Sequence, residues 1–545
     1  MKVLFIARHF TYFRNFESVV ALLAERGHCV HLAADREEQL GGRAMVDRLA
    51  TRYPNRVSVG LTAIPRETRT GSLATALRLG LDHIRYADPS YATTPQIRVR
   101  ARERAPLLAL LLAQSPFRGS AARVLDWIEQ AVPRQADIDE YIRAHRPDVI
   151  LVTPLIELGS PQVDYLRAAR SLGIRSALCV WSWDHLSSKA LIRVVPDAVI
   201  VWNDTQRTEA GRFHGISPER VIVTGAQCFD QWFDRQPRRG GDEFRTRVGL
   251  PPARPFLLYV CSALFKNSPS EAAFVHEWVK ALRRSSDPRL RDIAILVRPH
   301  PQRLDEWRDR EASPAWEHVA VWGSNPVDAD ARADYFDSMF HATAVIGLNT
   351  SALVEAAIVN RPVFTLLLPE FRDNQEGTFH FHHLLNVGEG FLNTARALDE
   401  HAAQLSVLLT GGASRSNRPF VERFIRPQGI HVPATPTFVD EVEQLANKGG
   451  LKPAPVSVRG LALRPVVYAL LLTSRLPWVE RLYWHSHRWD EWQEGVRAIE
   501  ARNARRRSKR RDKAWRVFSR APRQAVAQIK TVAKSALAAT GMRRS

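Results

Sequence analysis

Short apolar runs alternate with amphipathic stretches along the first part of the chain. The run "KVLFIA" (2–7) precedes an amphipathic stretch at 16–26 that ends at Gly27, and "CVHLAA" (29–34) comes next. A strand, a helix stopped by glycine and a second strand in this order are typical of a parallel sheet. Further strand-like runs follow a long helical stretch, at residues 148–152, 176–181, 198–202 and 220–225. The pattern predicts a doubly wound α/β domain over residues 1–235.

The same pattern restarts after a break rich in proline, glycine and charge. Residues 236–255, "QPRRGGDEFRTRVGLPPARP", predict a linker. We expect a second α/β domain over residues 256–447, facing the first across a cleft. Its strands are predicted at 255–262, 292–297, 318–323, 344–348 and 362–368. Ligands of such sheets bind beyond the carboxyl ends of the strands, so the chemistry should lie there.

The charge is concentrated in a C-terminal extension, residues 451–545. The chain carries a net charge of +20, and this extension holds 22 Lys/Arg against 6 Asp/Glu, together with 5 of the 14 tryptophans. It contains an apolar run (461–478), a basic block (504–513) and a stretch of helical period (525–539). We predict a basic, Trp-rich, helical or partly disordered tail that attaches to an anionic membrane surface. Nucleic-acid binding is the less favoured alternative, and a merely solvated tail is the third.

The remaining composition favours a cytoplasmic protein, peripheral on the inner face of the cell membrane. No run approaches the ~18 apolar residues that span a bilayer. "MKVLFIARHF" is apolar for only five residues after Lys2, too few for a signal peptide. The four cysteines are widely spaced without a Cys-x-x-Cys pattern, which indicates small buried side chains.

The stretch "ILVRPHPQR" (295–303) combines a strand with a stiffened turn. Arg298 and His300 alternate with Pro299 and Pro301, and proline holds the backbone in a fixed, non-helical course. An arginine in this position can grip a phosphate with two hydrogen bonds. The histidine can donate to a phosphate or act as an acid or base. The alternative is a rigid surface turn.

A second candidate lies in "AVIGLNTSALVEAAIVNRPV" (344–363), where a strand runs into a helix. Asn349, Thr350 and Ser351 stand at the helix start, where free N–H groups and the helix dipole attract anions. Glu355 does not fit the spacing of a capping box, and it can accept hydrogen bonds from ribose hydroxyls. The alternative is an ordinary helix cap with a solvent-facing glutamate.

A third candidate is "CSALFKNS" (261–268), which follows the first strand of the second domain. Ser262 and Lys266 are suited to phosphate contact, and the alternative is a solvated loop.

The first domain offers two loops for a catalytic base. "ARHFTYFRN" (7–15) places His9 after the first strand, without the Gly-x-Gly-x-x-Gly of dinucleotide sites. "WSWDHLSSK" (181–189) groups Asp184 with His185, and such a pair can deprotonate a hydroxyl nucleophile. The histidines of "GTFHFHHLL" (377–385) lack zinc spacing, and no metal site is predicted.

These motifs resemble the GT-B glycosyltransferase superfamily. The Arg-Pro-His-Pro turn, followed by strand, Asn-Thr-Ser, helix and Glu, is similar to CDP-glycerol glycerophosphotransferases and to capsule and surface polysaccharide transferases. Non-hydrolysing UDP-N-acetylglucosamine 2-epimerases share the layout. The resemblance covers residues 1–447 in architecture and 255–370 in motif.

The resemblance implies a first domain that holds the acceptor and a second that holds a UDP-, CDP- or GDP-linked donor. Arg298 and His300 would contact the donor phosphates, the Asn349–Thr350–Ser351 helix start the diphosphate, and Glu355 ribose or sugar hydroxyls. The implied function is a glycosyl- or polyol-phosphate transferase of bacterial surface polysaccharide or glycolipid biosynthesis, without a bound cofactor, acting on a carbohydrate or lipid-linked acceptor. The alternatives are an epimerase-like enzyme, or a non-catalytic GT-B scaffold attached to membrane or nucleic acid by its tail.

Overall fold

The computed structural model describes residues 1–479 except 38–40, 64–67, 308–313, 327, 455–456, 475 and 477–478. Two wholly parallel sheets, of seven and six strands, are each covered by helices on both faces. The predicted fold class, α/β with two Rossmann-like doubly wound domains and a cleft between them, is confirmed.

The first sheet has the strand order β3-β2-β1-β4-β5-β6-β7. Its strands are β1 (Lys2–His9), β2 (Cys29–Arg36), β3 (Val57–Leu61), β4 (Val149–Thr153), β5 (Arg175–Cys179), β6 (Ala198–Val201) and β7 (Val221–Val223). Its helices are α1 (Glu17–Glu25), α2 (Gly42–Arg52), α3 (Arg69–Tyr86), α4 (Pro95–Arg104), α5 (Leu107–Gln114), α6 (Arg118–Ala131), α7 (Ala136–His145), α8 (Val163–Leu172), α9 (Asp204–His214) and α10 (Asp230–Phe233). The order reverses between the neighbours β1 and β4, and ligands of doubly wound sheets bind at such a switch point.

The second sheet has the order β10-β9-β8-β11-β12-β13, so its switch point lies between β8 and β11. The strands are β8 (Phe256–Val260), β9 (Ala294–Arg298), β10 (Val319–Val321), β11 (Ala344–Ile346), β12 (Val363–Leu366) and β13 (Leu392–Ala395). The helices after α10 are α11 (Gly241–Arg247), α12 (Glu271–Arg283), α13 (Pro288–Asp292), α14 (Ala329–Phe340), α15 (Ser351–Ile358), α16 (Phe381–Asn386), α17 (Leu398–Leu409), α18 (Arg418–Phe420), α19 (Ala434–Asn447) and α20 (Val458–Thr473).

Both sheets are buried on both faces, which explains their continuous apolar strands. In β1, Phe5 packs against Phe13 and Phe16 on one face, while Leu4 and Ile6 belong to the cluster on the other face. All residues of β8, "FLLYV", are buried. The two cores hold the switch points at fixed positions, facing each other across the cleft.

The domain borders differ from the predicted ones. The predicted linker 236–255 contains α11, whose fully buried Phe244 packs on Phe256 in the second core. Within the predicted second domain 256–447, α19 returns to the first domain, where Phe438 contacts Phe16. Sequence composition did not reveal these contacts because the apolar face of an amphipathic helix such as α19, which buries Val442 and Leu445 beside Phe438, does not show which domain it packs on.

The described part of the C-terminal extension forms α20, which packs on α3 and α6 through the fully buried Val467. The basic block 504–513 and the stretch 525–539 lie outside the described residues. No helix within the described ranges is long and apolar enough to cross a bilayer.

Candidate functional site

A cavity of about 270 Å³ lies between the domains at the carboxyl edges of both sheets. The first domain contributes Arg14, from the 3₁₀ helix after β1, together with Trp181 and Trp232. The second domain contributes the Arg-Pro-His-Pro turn after β9, the start of α15 and a tyrosine of α14. The predicted donor residues that line this cavity are Arg298, His300, Thr350, Ser351 and Glu355.

Arg298 is buried in the wall of this cavity, with 6% of its surface exposed. Its Nη2 donates to the carbonyl of Ser324 at 3.4 Å, and its guanidinium lies 5.0 Å from the ring centre of Tyr335. Among the described residues, no carboxylate forms an ion pair with it and Nη1 has no hydrogen-bond partner. Burial lowers the pKa of Arg298, while Tyr335 and the carboxylate of Asp334, which pairs with other arginines, oppose this shift. A buried cation without an ion-pair partner is costly, so this arginine is prepared for an anion from outside the protein.

Gly323 makes room for the Arg298 guanidinium. It follows β10 and has φ +134°, a conformation that favours glycine. A Cβ atom there would stand 2.7 Å from the central carbon of the guanidinium. The orientation of Arg298 therefore depends on the absence of a side chain at this position.

His300 is half-buried beside the arginine and presents a hydrogen-bond donor. Its Nδ1 accepts from the backbone N–H of Gln302 at 3.2 Å, so the neutral ring carries its proton on Nε2. Burial and the nearby Arg303 lower the pKa of His300. A neutral ring with Nε2–H suits donation to a phosphate better than removal of a proton from a substrate.

Helix α15 begins at Ser351, with Thr350 as the N-cap. The Thr350 hydroxyl accepts from the N–H of Ala352 at 3.4 Å, and both Thr350 and Ser351 line the cavity. The start of this helix therefore borders the same space as Arg298, which suits a phosphate.

Glu355 faces the cavity one turn further along α15. Tyr335 donates its hydroxyl hydrogen to Glu355 Oε2. Burial raises the pKa of Glu355, while the Tyr335 hydrogen bond and the positive charge of Arg14, across the cleft, oppose this rise. The glutamate is thus not a solvent-facing residue, and it stands where both domains meet.

Two predicted phosphate contacts, Ser262 and Asn349, bind each other instead. Ser262 is fully buried, and its Oγ accepts from the N–H of Asn349 at 3.1 Å. The Asn349 side chain donates to the carbonyl of Asn374. These residues fasten the loop after β8 to the loop after β11, so they position the site without lining it. Lys266 is exposed on the same loop and does not line the cavity either.

A second cavity, of about 360 Å³, lies at the switch point of the first sheet. His9 lines it, together with Arg8 from β1, Glu157 from the loop after β4 and Lys189 from the loop after β5. Further cationic side chains around it are Arg36, Arg100 and Arg104. The Lys189 ammonium lies 4.9 Å from the ring centre of Trp181, which lines the first cavity. The predicted base His9 therefore belongs to a neighbouring cavity, separated from the first by an indole ring.

Asp184 and His185 are adjacent in sequence, but the two side chains lie in different surroundings. Asp184 accepts from the hydroxyl of Ser182 at 2.5 Å, and although burial acts to raise its pKa, Lys189 and His380 hold that pKa below its usual range. His185 is fully buried, and its Nε2 donates to a backbone carbonyl at 2.6 Å. Burial lowers the pKa of His185. An enclosed, neutral imidazole is unsuited to the predicted role of base, so the geometry corrects this part of the hypothesis.

A larger cavity, of about 1200 Å³, lies elsewhere between the domains, alongside α9 and the loops after β12. Two of the charged pairs in its lining are His383 Nε2 with Glu209 at 2.8 Å and Arg396 with Glu376 at 3.0 Å. It also lies away from both switch points. The described residues contain no cluster of three His, Cys, Asp or Glu side chains that could hold a metal ion.

Several residues of the first cavity carried no signal in the sequence. Tyr335 and Trp232 pack edge-to-face across the domain border at 5.8 Å. Arg332, also at the cavity, pairs with Glu17 of the first domain at 3.1 Å. Which face of α14 meets the cleft depends on tertiary packing, and no local pattern marks it.

The overall architecture is similar to that of several solved structures. The UDP-GlcNAc 2-epimerase from Methanocaldococcus jannaschii matches at 13% identity with a TM-score of 0.45, over 82% of this chain and 100% of that chain. HepE from Anabaena, solved in complex with UDP, matches at 13% identity and TM-score 0.44, over 82% and 100%. A glycosyltransferase from Rickettsia africae matches at 9% identity and TM-score 0.45, over 82% and 98%. No protein-family model and no curated protein matches the sequence. At these identities and scores the likeness carries no functional argument.

Proposed function

We propose that this chain is a GT-B-type glycosyl- or polyol-phosphate transferase that binds a nucleotide-activated donor in the interdomain cavity. The observation that supports the proposal is Arg298, a buried cation without an ion-pair partner among the described residues, which lines the same cavity as the first turn of α15. A diphosphate is an anion that both features favour. The donor would be UDP-, CDP- or GDP-linked.

In this proposal the second domain stabilises the leaving group. When a sugar is transferred, its C1–O bond breaks and negative charge grows on the nucleoside diphosphate; when a polyol phosphate is transferred, the bridging P–O bond breaks and the charge grows on the nucleoside monophosphate. In either case preorganised donors around the phosphates lower the barrier. Arg298, the Nε2–H of His300 and the N–H groups at Thr350 and Ser351 are such donors. Glu355, held by Tyr335, would accept hydrogen bonds from ribose or sugar hydroxyls. The mechanism calls on no metal ion.

The acceptor would be a carbohydrate or lipid-linked hydroxyl compound that enters from the first domain. Deprotonation of its hydroxyl requires a base whose proton-accepting atom reaches the cleft. His9 remains the proposed base, with Asp184 as the second candidate. Closure of the domains over both substrates would exclude water from the activated donor.

An epimerase-like activity would use the same donor cavity without an acceptor. The cationic cavity beside Trp181 favours the transferase, because a second binding space at a switch point serves a second substrate. Mass spectrometry of the purified chain with UDP-, CDP- and GDP-sugars separates the two. A glycosyltransferase releases the nucleoside diphosphate, and a polyol-phosphate transferase given a CDP-polyol releases CMP, in each case only when an acceptor extract is added. An epimerase changes the sugar of the donor without releasing nucleotide. No nucleotide binding at all would favour the scaffold.

We also propose that the basic extension attaches the protein to an anionic membrane surface in bacterial surface polysaccharide or glycolipid biosynthesis. The composition of 451–545 supports this, as do exposed apolar side chains on α20, such as Val458 and Leu472. Flotation with anionic vesicles should depend on this extension and weaken with salt. Equal binding to neutral vesicles or preference for DNA would contradict attachment by charge.

A further inference from the structure

The cavity of the first domain is far more cationic than a substrate hydroxyl requires. Five arginine and lysine side chains line it, and among the described lining residues Glu157 is the one carboxylate. They come from separate elements: Arg8 from β1, Arg36 from β2, Arg100 and Arg104 from α4, and Lys189 from the loop after β5. Cations gathered around one enclosed space repel each other unless an anion joins them.

The carboxylate that is present is already engaged. Glu157 pairs with Arg8 and accepts from the hydroxyl of Tyr12 at 3.2 Å. Asp184 lies near Lys189 and Arg100 and offsets part of their charge, but it is not among the lining residues. The Arg100 side chain is exposed, and its partial desolvation together with the neighbouring Arg104 lowers its pKa. The described residues that line the cavity therefore carry more positive than negative charge.

Helix α4 holds two of these arginines in place over the sheet edge. The Arg100 guanidinium stacks 4.6 Å from the ring centre of Phe265 in the second domain. Gln96, one turn earlier, donates to Asp373 of the second domain at 2.9 Å. The helix is thus fastened to both domains, while the residues that line the cavity all belong to the first.

We propose that this cavity binds a phosphate group carried by the acceptor. The inference rests on the proposed function only for the statement that the phosphate belongs to an acceptor. The phosphate site itself is formed by residues of the first domain. A phosphate monoester, with up to two charges and several acceptor oxygens, matches several cations better than a single carboxylate does. The phosphate would belong to a soluble sugar phosphate or to a lipid headgroup, since both present the same chemistry.

The position of the cavity suits an acceptor. It lies at the β1/β4 switch point, and Trp181 separates it from the donor cavity. An acceptor anchored there by its phosphate would direct a hydroxyl past the indole toward the donor. His9, on the rim of the same cavity, would be near that hydroxyl.

The test measures inorganic phosphate and UDP separately. Phosphate binding is titrated by calorimetry in the Arg298→Gln background, which removes the buried arginine of the donor cavity. The double variant Arg100→Gln/Lys189→Gln removes two charges from the cavity. The matched control Arg98→Gln/Arg102→Gln removes two exposed charges from the same helix, outside the lining.

We expect phosphate to bind roughly tenfold more weakly to the cavity variant and unchanged to the control. Equal weakening in both variants, or no phosphate binding to either, overturns the inference. UDP binding to chains that retain Arg298 tests the proposed function on its own, because the cavity variant should leave it unchanged. Glycerol 3-phosphate and phosphatidylcholine vesicles with phosphatidic acid then identify the source. Binding of at least one that depends on Arg100 and Lys189 supports the phosphate site, and binding of neither contradicts it.

Discussion

The two cavities use positive charge in opposite ways. The donor cavity is lined by four arginines, of which Arg298 is the buried one, stacked on the rings of Trp322 and Tyr335 and without an ion-pair partner among the described residues. The first-domain cavity gathers five cations, of which Arg36, Arg100 and Arg104 are exposed side chains. The donor cavity relies on the desolvation of one arginine, and the first-domain cavity relies on the number of its cations. The first arrangement favours a fixed, directional contact, and the second favours any anion of sufficient charge.

The largest expected effect is the loss of Arg298. In Arg298→Gln we expect UDP, or whichever nucleoside diphosphate binds best, to bind about 100-fold more weakly, since removing one member of a buried charged contact costs ~2–5 kcal/mol. The unfolding temperature should stay the same or rise, because the variant no longer buries an uncompensated charge. Calorimetry and thermal unfolding measure the two effects.

A matched control is Arg283→Gln in α12 of the same domain. Arg283 donates to the carbonyls of Leu290, Arg291, Ala315 and Glu317, away from the cavity. The Arg283→Gln substitution should lower the stability of the chain and leave its nucleotide affinity unchanged. Weaker nucleotide binding in Arg283→Gln, or unchanged nucleotide binding in Arg298→Gln, would contradict the assignment of a structural role to Arg283 and a binding role to Arg298.

A smaller effect is expected at Gly323. In Gly323→Ala the new methyl group would press on the Arg298 guanidinium, so we expect roughly tenfold weaker nucleotide binding from a displaced contact. Gly240→Ala is the control, because its Cβ would meet nothing within 4 Å. Calorimetry with UDP, CDP and GDP reads the difference, and equal affinities in both variants would show that Arg298 need not hold its orientation.

Salt should separate the two cavities. Between about 0.05 M and 0.5 M NaCl we expect phosphate binding in the first domain to weaken several-fold, because exposed charges are screened. Binding of the nucleoside diphosphate beside the buried Arg298 should change less. Parallel titrations at fixed pH provide the measurement, and equal salt dependence of both ligands would argue that the two sites do not differ in desolvation.

The smallest effect on binding is expected from Glu271, which accepts from the N–H of Ser262 behind the donor cavity at 2.7 Å. Burial raises the pKa of Glu271 from 4.5 to about 8. Between these values the folded chain keeps a proton that the unfolded chain has lost, so this group lowers stability as the pH rises through that window and no further above it. Glu271→Gln should flatten this part of the stability profile without changing nucleotide affinity.

The exposed Glu277→Gln in the same helix is the control for this pH effect, and it should keep the wild-type slope. Chemical unfolding across pH 5 to 8 measures both variants. A slope that is unchanged in Glu271→Gln would mean that this carboxyl ionises normally in the folded chain.

The sequence carried the fold because strands and helices alternate with clear periods, and it located Arg298 and Glu355 because carboxyl ends of parallel strands converge at one edge. It could not assign Ser262 and Asn349, whose polar atoms satisfy each other across two loops. The sequence did not indicate roles for Tyr335 and Gly323 either, because these roles depend on how α14 and the residues after β10 pack around Arg298. Local pattern predicts where chemistry lies, and tertiary contacts decide which side chain faces it.

We propose that Arg298 and the start of α15 hold a nucleoside diphosphate. A crystal structure of the chain with the best-binding one of UDP, CDP and GDP tests this proposal. We expect both phosphates in the interdomain cavity, with the guanidinium of Arg298 within hydrogen-bond distance of a phosphate oxygen. A nucleotide bound in the larger cavity beside α9, or one whose phosphates do not touch Arg298, would contradict it.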